Sequence, residues 1–286
     1  MKENRQVVLA NAGIMFIAVS WGLNFSVIKW ALSDITPMYY LTFRFILSGL
    51  VLLVIFAKRF KKIEKENLKC GILAGILLSV SFAAQTIGLQ YTSPGKAGFL
   101  ANACVVIMPF LMWIIYKKRP GILTVAGAFI AFLGLAIISL TETFSVQFGD
   151  LLQLLCAFSF AGQTMIIDRY ADVIDPIKMT VIQMGTAGII TLSVAVATEP
   201  FNVLLTGGMP AVIAIGYGVI FCTAVSFIIQ GYAQRVTKPS NVAIILCFEA
   251  VFAYIFSLLL GYDTLSMRNI VGSMIVMIGF IISQKE

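Results

Sequence analysis

The stretch TSPGKAGFLANACVVIMPF, residues Thr92–Phe110, has a near copy later in the chain, VTKPSNVAIILCFEAVF, residues Val236–Phe252. Each begins with a short polar turn that carries a proline and continues for about five or six helical turns with almost no charge, which predicts a helix that enters lipid. The two stretches lie about 144 residues apart, close to half of the 286 residues of the chain. A half-length period in a hydrophobic chain predicts two homologous helical bundles that face each other.

The composition places the whole chain in a bilayer. Hydrophobic residues make up 60% of the sequence and charged residues 12%, and the mean hydropathy is +0.98, far from the values of a soluble domain. The net charge of +7 does not require a nucleic-acid partner, because the cations lie between hydrophobic runs, where the positive-inside rule accounts for them. The chain has no histidine, and its five cysteines lie in or beside apolar runs without a C-x-x-C pair. We therefore expect no metal site, no cofactor and no disulfide framework.

The hydropathy pattern predicts ten membrane spans, with both termini on the cytoplasmic side of the cell membrane. The predicted spans are 7–32, 38–57, 70–91, 95–116, 121–140, 150–168, 176–198, 211–234, 240–260 and 269–284. Sixteen of the 20 Lys and Arg residues then fall in cytoplasmic segments, and this bias sets the orientation.

A second pair of matching segments supports the repeat. Ile35–Met38, followed by Gly49, matches Ile174–Ile177, followed by Gly188, 139 residues later. This match places the second predicted span over the seventh. Matching proline and glycine positions at two separate places are more than the shared composition of lipid-soluble helices predicts.

The expected fold is an all-α polytopic membrane protein. Its ten transmembrane helices form two five-helix repeats, residues 1–143 and 144–286, within one membrane domain. Because five is an odd number, the second repeat enters the membrane from the opposite side, and the repeats are inverted around a central cavity. We expect the substrate to bind near the membrane midplane between them.

Five short motifs stand in order along the chain. They are Trp21-Gly22 with Phe25, Phe43-Arg44-Phe45, Tyr91-Thr92-Ser93-Pro94-Gly95-Lys96-Ala97, Gly149-Asp150-Leu151-Leu152 and Phe248-Glu249-Ala250-Val251-Phe252-Ala253. Together they resemble the EamA-type family of the drug/metabolite transporter superfamily over essentially the whole chain. The resemblance implies ten helices in two inverted repeats, a central cavity and transport of small metabolites, often outward. The family commonly has Glu-Pro where this chain has Glu249-Ala250.

Glu249 is the first of two ionisable residues that lie inside predicted spans. It lies about ten residues into its span, close to the midplane at a rise of about 1.5 Å per residue. A charge in hydrocarbon costs at least about 2.5–3.5 kcal/mol, so such a residue is a functional candidate. Glu249 is a candidate for binding a proton or the substrate. A structural or gating role, with a protonated carboxyl group bonded to a neighbouring helix, stays equally open.

Arg44 is the second ionisable residue, about six residues into its span on a helical rise of about 1.5 Å per residue. Its guanidinium group suits bidentate binding of a substrate carboxylate. The alternative is that the side chain snorkels to the interface or pairs with a helix end. Its repeat counterpart is the neutral Gln183, so the two repeats differ in charge.

Neutral polar side chains complete the predicted site. Five amides lie within spans: Asn24, Gln85, Asn102, Gln163 and Gln230. Interhelical hydrogen bonds of such groups average only about 0.6 kcal/mol, too little to explain five amides by stability alone, which favours a wet cavity. Trp21 lies one turn from Asn24 and is the aromatic residue that we add. The predicted substrate-binding set is Trp21, Asn24, Arg44, Gln85, Asn102, Gln163 and Glu249, with Glu249 also the proton-coupling or gating candidate.

Small residues recur at four-residue intervals, as at Gly71 and Gly75, Ala97 and Ala101, and Gly127 and Ala131. Such pairs let helix backbones approach closely. They predict helix packing and indicate no particular function.

These patterns indicate a secondary transporter of small polar metabolites, such as amino acids or related compounds, that exports by alternating access. A drug or lipid exporter of the same fold and a metabolite importer stay open. We expect no enzyme, because the sequence shows no clustered catalytic groups near one interface, and the absence of a P-loop argues against nucleotide-driven transport. Short loops disfavour a scaffold. The expected partners are a small-molecule substrate and membrane lipid, without nucleic acid, and a homodimer stays open.

Overall fold

The computed structural model describes residues 2–31, 34–88, 91, 100–117, 119–139, 148–200, 208–260, 266–283 and 285. Within these ranges the regular structure is helical. The helices are α1 (Lys2–Ala31), α2 (Pro37–Ile55), α3 (Lys65–Gly88), α4 (Cys104–Tyr116), α5 (Ile122–Ser139), α6 (Phe148–Tyr170), α7 (Pro176–Thr198), α8 (Met209–Val219), α9 (Ser226–Ala233), α10 (Pro239–Leu246), α11 (Phe248–Leu259) and α12 (Met267–Ser283). A 3₁₀ turn, Ala57–Lys61, follows α2, and a π-helical turn, Ile220–Val225, joins α8 to α9.

Seven helical segments are long and apolar enough to cross a membrane. They are Arg5–Ile28, Pro37–Ile55, Lys65–Gly88, Phe148–Tyr170, Pro176–Thr198, Met209–Ala233 and Pro239–Phe256. Three shorter apolar helices, Cys104–Tyr116, Ile122–Ile137 and Met267–Ser283, lie between and after them. The protein is therefore a polytopic helical membrane protein, in which α8–α9 and α10–α11 are each one interrupted segment. The proline turn of the first quoted stretch, residues 92–99, lies outside the described residues.

Local sequence signals explain where several helices begin. Proline occupies the first turn of α2, α7 and α10, where its missing N–H has no helical partner to lose. Before α7, the Asp175 carboxylate accepts a hydrogen bond of 2.9 Å from the Ile177 N–H, which caps the helix.

Contacts between helix ends place several of them on one face of the bundle, which we call the N-terminal face. Thr237, before α10, donates to Asn11 of α1 across 3.3 Å. Arg59, after α2, pairs with Asp175, before α7, at 3.2 Å. The beginnings of α1, α7 and α10 and the end of α2 therefore share this face.

Glu199 organises the opposite face, which we call the far face. It follows α7, and its carboxylate accepts hydrogen bonds from the Thr36 hydroxyl at 2.6 Å and from the N–H groups of Met38 and Tyr39 at 2.9 and 3.1 Å. A carboxylate at this position satisfies free N–H groups and matches the positive end of the α2 dipole. Helices α2 and α7 are thus fastened to each other at both faces.

The helices pack as a small set of pairs. Helix α5 lies along α12, α2 lies along α7, and α3 lies against both α6 and α7. Helix α1 packs against α11 and against the α8–α9 segment, while α4 packs against α6. Segments from the first half of the chain therefore contact segments from the second half throughout the bundle.

Small residues allow the closest of these approaches. A Cβ atom on Gly279 of α12 would lie 2.6 Å from the carbonyl oxygen of Gly127 in α5. A Cβ atom on Gly75 of α3 would lie 2.7 Å from the Cβ of Thr186 in α7. The predicted packing role is confirmed at these positions, whereas Ala97 lies outside the described residues.

Candidate functional site

A cavity of about 60 Å³ lies inside the bundle. It has room for a few water molecules, since one water needs about 10–15 Å³. Among its lining residues, Asn24 lies near the end of α1, Gln85 near the end of α3 and Arg44 in the first half of α2. All three positions are nearer the far face. The cavity therefore extends from the interior of the bundle toward that face.

Six of the seven predicted site residues line this cavity together. They are Trp21, Asn24, Arg44, Gln85, Asn102 and Glu249. They come from α1, α2, α3, α11 and the turn before α4, so the cavity joins helices of both halves of the chain. Gln163, the seventh, lies elsewhere.

Arg44 is 1% exposed and does not reach the interface, so the snorkelling alternative is wrong. Its Nε donates to the Thr223 hydroxyl at 2.7 Å, and its Nη2 donates to the Cys222 carbonyl oxygen at 3.0 Å. The guanidinium carbon lies 5.0 Å from the centre of the Phe82 ring, in cation–π contact. These three contacts fix a permanent positive charge in the cavity wall.

The π-helical turn Ile220–Val225 supplies the acceptor that Arg44 uses. The Cys222 carbonyl oxygen also accepts a hydrogen bond of 2.9 Å from the Trp21 indole N–H. The Thr223 hydroxyl in turn donates to the Gly218 carbonyl at 2.7 Å. Single π turns inside helices are often found at functional sites, because they free backbone groups from the regular ladder.

Glu249 lies in the first turn of α11, two residues after the helix is interrupted at Cys247. At the interruption, the Ala250 N–H donates to the Cys247 carbonyl across three residues, at 3.3 Å, which tightens the turn. The break forms without the proline that the family commonly has. Helix α1 passes close by, since a Cβ atom on Gly22 would lie 2.8 Å from the Glu249 carbonyl oxygen.

The two charged side chains of the cavity are not paired with each other. Among the described residues, no ion pair joins Arg44 to Glu249, and the Glu249 carboxylate has no hydrogen-bond donor. Asn24 is 6% exposed, and its Oδ1 has no hydrogen-bond partner in the described part of the chain. The cavity wall therefore offers one fixed cation and unoccupied acceptors.

Aromatic rings form another part of the wall. Trp21 is 9% exposed and meets the rings of Phe82 and Phe160 edge-on, with centroids 6.4 and 5.7 Å apart. Sequence reasoning missed both phenylalanines, because one apolar ring in a span does not differ from its neighbours. The one sequence signal available concerned Phe82, which lies three positions before Gln85, a polar residue that also lines the cavity.

Gln163 does not line the cavity. It is fully buried on the side toward the N-terminal face, where its Oε1 accepts a hydrogen bond of 3.4 Å from Gln230 of α9. The same Gln230 amide lies 3.4 Å from the Thr164 hydroxyl. These side chains join α6 to α9 on the side of the cavity toward the N-terminal face.

The fold and the cavity define a class: a polytopic helical membrane protein built around an internal polar cavity. The sequence profile of the EamA-like transporter family matches residues 8–140 and again residues 147–284. The chain belongs to the EamA-like transporter family, so the resemblance to the EamA-type family is confirmed and the protein is a membrane transporter by family.

Similar proteins share nearly the full length of the chain. An uncharacterized transporter of Archaeoglobus fulgidus is 30% identical over 281 residues, which cover 98% of this chain and 87% of the relative. The uncharacterized transporter YoaV of Bacillus subtilis is 22% identical over 276 residues, 93% of this chain and 94% of the relative. One crystal structure matches with a TM-score of 0.81 over 96% of this chain and 98% of that chain; at 14% identity it shows the fold alone.

Proposed function

We propose that this protein is a secondary transporter that moves small polar metabolites, such as amino acids or related compounds, out of the cell by alternating access. The observation that carries the proposal is a cavity between the two halves whose wall holds Arg44 and Glu249 unpaired with each other. A fixed cation and a separate carboxyl group that line one low-dielectric cavity favour a polar ligand that lies between them.

The chemistry of the wall suits a compound with both a carboxylate and an ammonium group. Arg44 uses Nε and Nη2 for the protein and also lines the cavity, where its guanidinium group can meet a carboxylate. Glu249 and the Asn24 Oδ1 are acceptors that an ammonium group would satisfy. An apolar drug or a lipid tail would leave all three polar groups desolvated, which disfavours that cargo.

The pairing of helices supports two inverted five-helix repeats, residues 1–143 and 144–286, with ten crossings. An exchange of each helix with its equivalent in the other half leaves the contact of α5 with α12 and the contact of α2 with α7 unchanged. The same exchange turns the contact of α1 with α11 into the contact of α6 with α4, which the bundle also contains. The two consecutive matches of the family profile support the same division. A bundle that contains the same unit twice in opposite orientations can form two equivalent states, one open to each side.

The positive charges support a cytoplasmic N-terminal face in the cell membrane. The 3₁₀ turn after α2 presents Lys58, Arg59 and Lys61 at this face. Cytoplasmic loops carry such an excess of Lys and Arg. Both termini then lie in the cytoplasm, and the cavity extends toward the outside.

Transport in vesicles tests the proposal. Purified protein in liposomes loaded with a broad panel of radiolabelled amino acids and related metabolites should exchange at least one of them faster than protein-free liposomes. Arg44→Gln protein, reconstituted at the same density, is the matched control and should lose that activity. If the wild-type protein exchanges no compound of the panel, or if only amphiphilic drugs or lipids move, the proposed cargo is wrong.

A further inference from the structure

A sequence match that relates α3 to α9 identifies equivalent amides in the two halves. Ser81, Phe82 and Gln85 recur 145 residues later as Ser226, Phe227 and Gln230. The offset of 139 residues that relates α2 to α7 also relates Asn24 of α1 to Gln163 of α6. The pair Asn24 and Gln85 in the first half therefore corresponds to the pair Gln163 and Gln230 in the second half.

The second pair is closed. Gln163 Oε1 accepts from Gln230 Nε2 at 3.4 Å, and these side chains are 0% and 2% exposed. Directly after α9, Gln234 donates to the Thr164 carbonyl oxygen at 2.8 Å, which adds a second bond between α6 and the end of α9. These contacts lie between the cavity and the N-terminal face.

The first pair is open. Asn24 and Gln85 both line the cavity, and the Asn24 Oδ1, which is the equivalent of the Gln163 Oε1, has no partner among the described residues. Amide side chains at equivalent positions thus make a hydrogen bond with each other in the second half and leave an acceptor unpaired in the first half. Their helices, α1 and α3, occupy the place in the first half that α6 and α9 occupy in the second.

The closed side also contains polar atoms without partners. Gln163 Nε2 and both polar atoms of the Gln183 side chain are buried and make no hydrogen bond in the described part of the protein. A buried polar atom without a partner costs free energy that a purely static packing role would not justify. Exposure of these amides to water in another conformation accounts for their presence.

We propose that the two amide pairs are alternating closures of one path: when Gln163 and Gln230 separate and open the N-terminal face, Asn24 and Gln85 come together and close the far face. The inference rests on the inverted repeat of the proposed function, and it assigns the residues that close each side. Each pair then forms its hydrogen bond only when the other is broken, so one side of the path is open at a time.

Thiol labelling tests this proposal without any substrate. In a background in which the five native cysteines are replaced by serine or alanine, Gln85→Cys reports on the far face and Gln163→Cys on the N-terminal face, and each is labelled with a membrane-impermeant maleimide added to one side. Gln230→Met removes the amide but keeps the length of the side chain. In the Gln85→Cys protein, Gln230→Met should slow labelling from the far face. Loss of one interhelical hydrogen bond changes the equilibrium constant between the two conformations about threefold, and about threefold is therefore the upper limit of the slowing.

The Gln163→Cys protein provides the second arm. That substitution already removes one partner of the pair, so Gln163→Cys should label from the N-terminal face faster than Thr180→Cys, a fully buried position on α7. Gln183→Ala is the control for loss of a buried amide that makes no hydrogen bond, and it should leave the labelling rate of Gln85→Cys unchanged.

The outcomes separate this inference from the proposed function. If Gln230→Met leaves Gln85→Cys labelling unchanged, accelerates it, or acts no differently from Gln183→Ala, the alternating closures are refuted even when transport is observed. If labelling shifts as expected while no compound is transported, the closures stand and the cargo assignment fails. Should Gln230→Met not fold, Gln230→Asn, which shortens the amide and so breaks the same contact, takes its place.

Discussion

The two halves of the chain place equivalent side chains in different surroundings. Asn24 and Gln85 face a cavity, whereas Gln163 and Gln230 are bonded to each other in a closed layer. The halves share their helix order and their pairing, so composition does not produce the difference. The comparison teaches that amides at matching sequence positions have different surroundings in the two halves of the chain: one pair lines a cavity, and the other pair is buried in a hydrogen bond.

A second difference between the halves is chemical and permanent. Arg44 in α2 is held by Thr223 and the Cys222 carbonyl, while its counterpart Gln183 in α7 is buried without partners. A guanidinium group stays charged in proteins, so Arg44 brings a fixed charge into the bundle where Gln183 brings none. The two positions therefore offer different chemistry to a ligand.

The largest expected effect concerns the close contact between α5 of the first half and α12 of the second half. Gly279→Leu would force a side chain into the Gly127 carbonyl, 2.6 Å from where its Cβ must lie, and the facing backbone has no room to move. Overpacking costs about 1–3 kcal/mol even in adaptable cores, so we expect an aggregated or unfolded protein. Size-exclusion chromatography and thermal unfolding in detergent measure it.

The control for this substitution is Gly216→Leu. A Cβ atom at Gly216 has no neighbour within 4 Å, so the variant should keep a wild-type elution profile and Tm. A normal elution profile for Gly279→Leu would show that α5 and α12 do not pack as described.

Arg44→Gln gives α2 the residue that α7 carries and so removes the chemical difference between the halves. It deletes a charge-assisted contact, for which about 1.5–3 kcal/mol is typical, and we expect kcat/KM for a transported carboxylate compound to fall about 10- to 100-fold. Uptake kinetics in liposomes measure the change. Gln183→Asn, which alters the neutral counterpart, should change kcat/KM much less, and equal losses in both variants would contradict the assignment of Arg44.

Glu249→Gln tests whether the carboxylate in α11 exchanges protons during transport. The amide has a similar shape but cannot carry a proton between the two sides. We expect the variant to lose the response of transport to an imposed pH gradient and to keep substrate counterflow. A gradient dependence equal to that of the wild type would dismiss proton coupling through Glu249.

The smallest expected effect concerns the ion pair between α7 and the beginning of α3 at the N-terminal face. Lys178 Nζ lies 2.8 Å from the Glu64 carboxylate, and this hydrogen bond holds the pKa of Glu64 below its ordinary value of 4.5. A lowered carboxyl pKa stabilises the fold above the unfolded pKa, and the contribution is lost as the pH falls through the folded pKa. Lys178 Nζ also donates to the Lys62 carbonyl oxygen at 2.7 Å, and this bond is lost at every pH. Lys178→Met should therefore lower the Tm slightly at pH 7 and by less near pH 3.

Thermal unfolding of the two proteins at both pH values measures that difference. Because Glu64 is exposed, the difference at pH 7 should also shrink in high salt. A Tm difference that is equal at the two pH values would mean that Lys178 does not act through this ion pair.

The sequence located the membrane segments well, because hydropathy measures the length of chain that lipid accommodates. The predicted span 176–198 coincides with α7, and each of the other predicted spans overlaps a described helical segment. The errors lie where helices leave the lipid. Helix α3 begins at Lys65, five residues before the predicted span 70–91, because a polar helical turn continues into the headgroup region, where hydropathy gives no signal.

The site was predictable to the extent that it consists of unusual residues. A charge or an amide in an apolar run is visible in the sequence, and five such predictions converge on one cavity together with Trp21. The π-helical turn that holds Arg44 was not predictable, since Ile220–Val225 contains neither proline nor glycine. The position of Gln163 was not predictable either, because it depends on which side of the bundle is closed.

One backbone oxygen, that of Cys222, serves both the Trp21 indole and the Arg44 guanidinium. A carboxylate that attracts the guanidinium group away from this oxygen leaves it to the indole alone and changes the polarity around the ring. The emission of Trp21, in a protein whose two other tryptophans are replaced, is then an intrinsic optical signal of cargo binding that needs no attached dye.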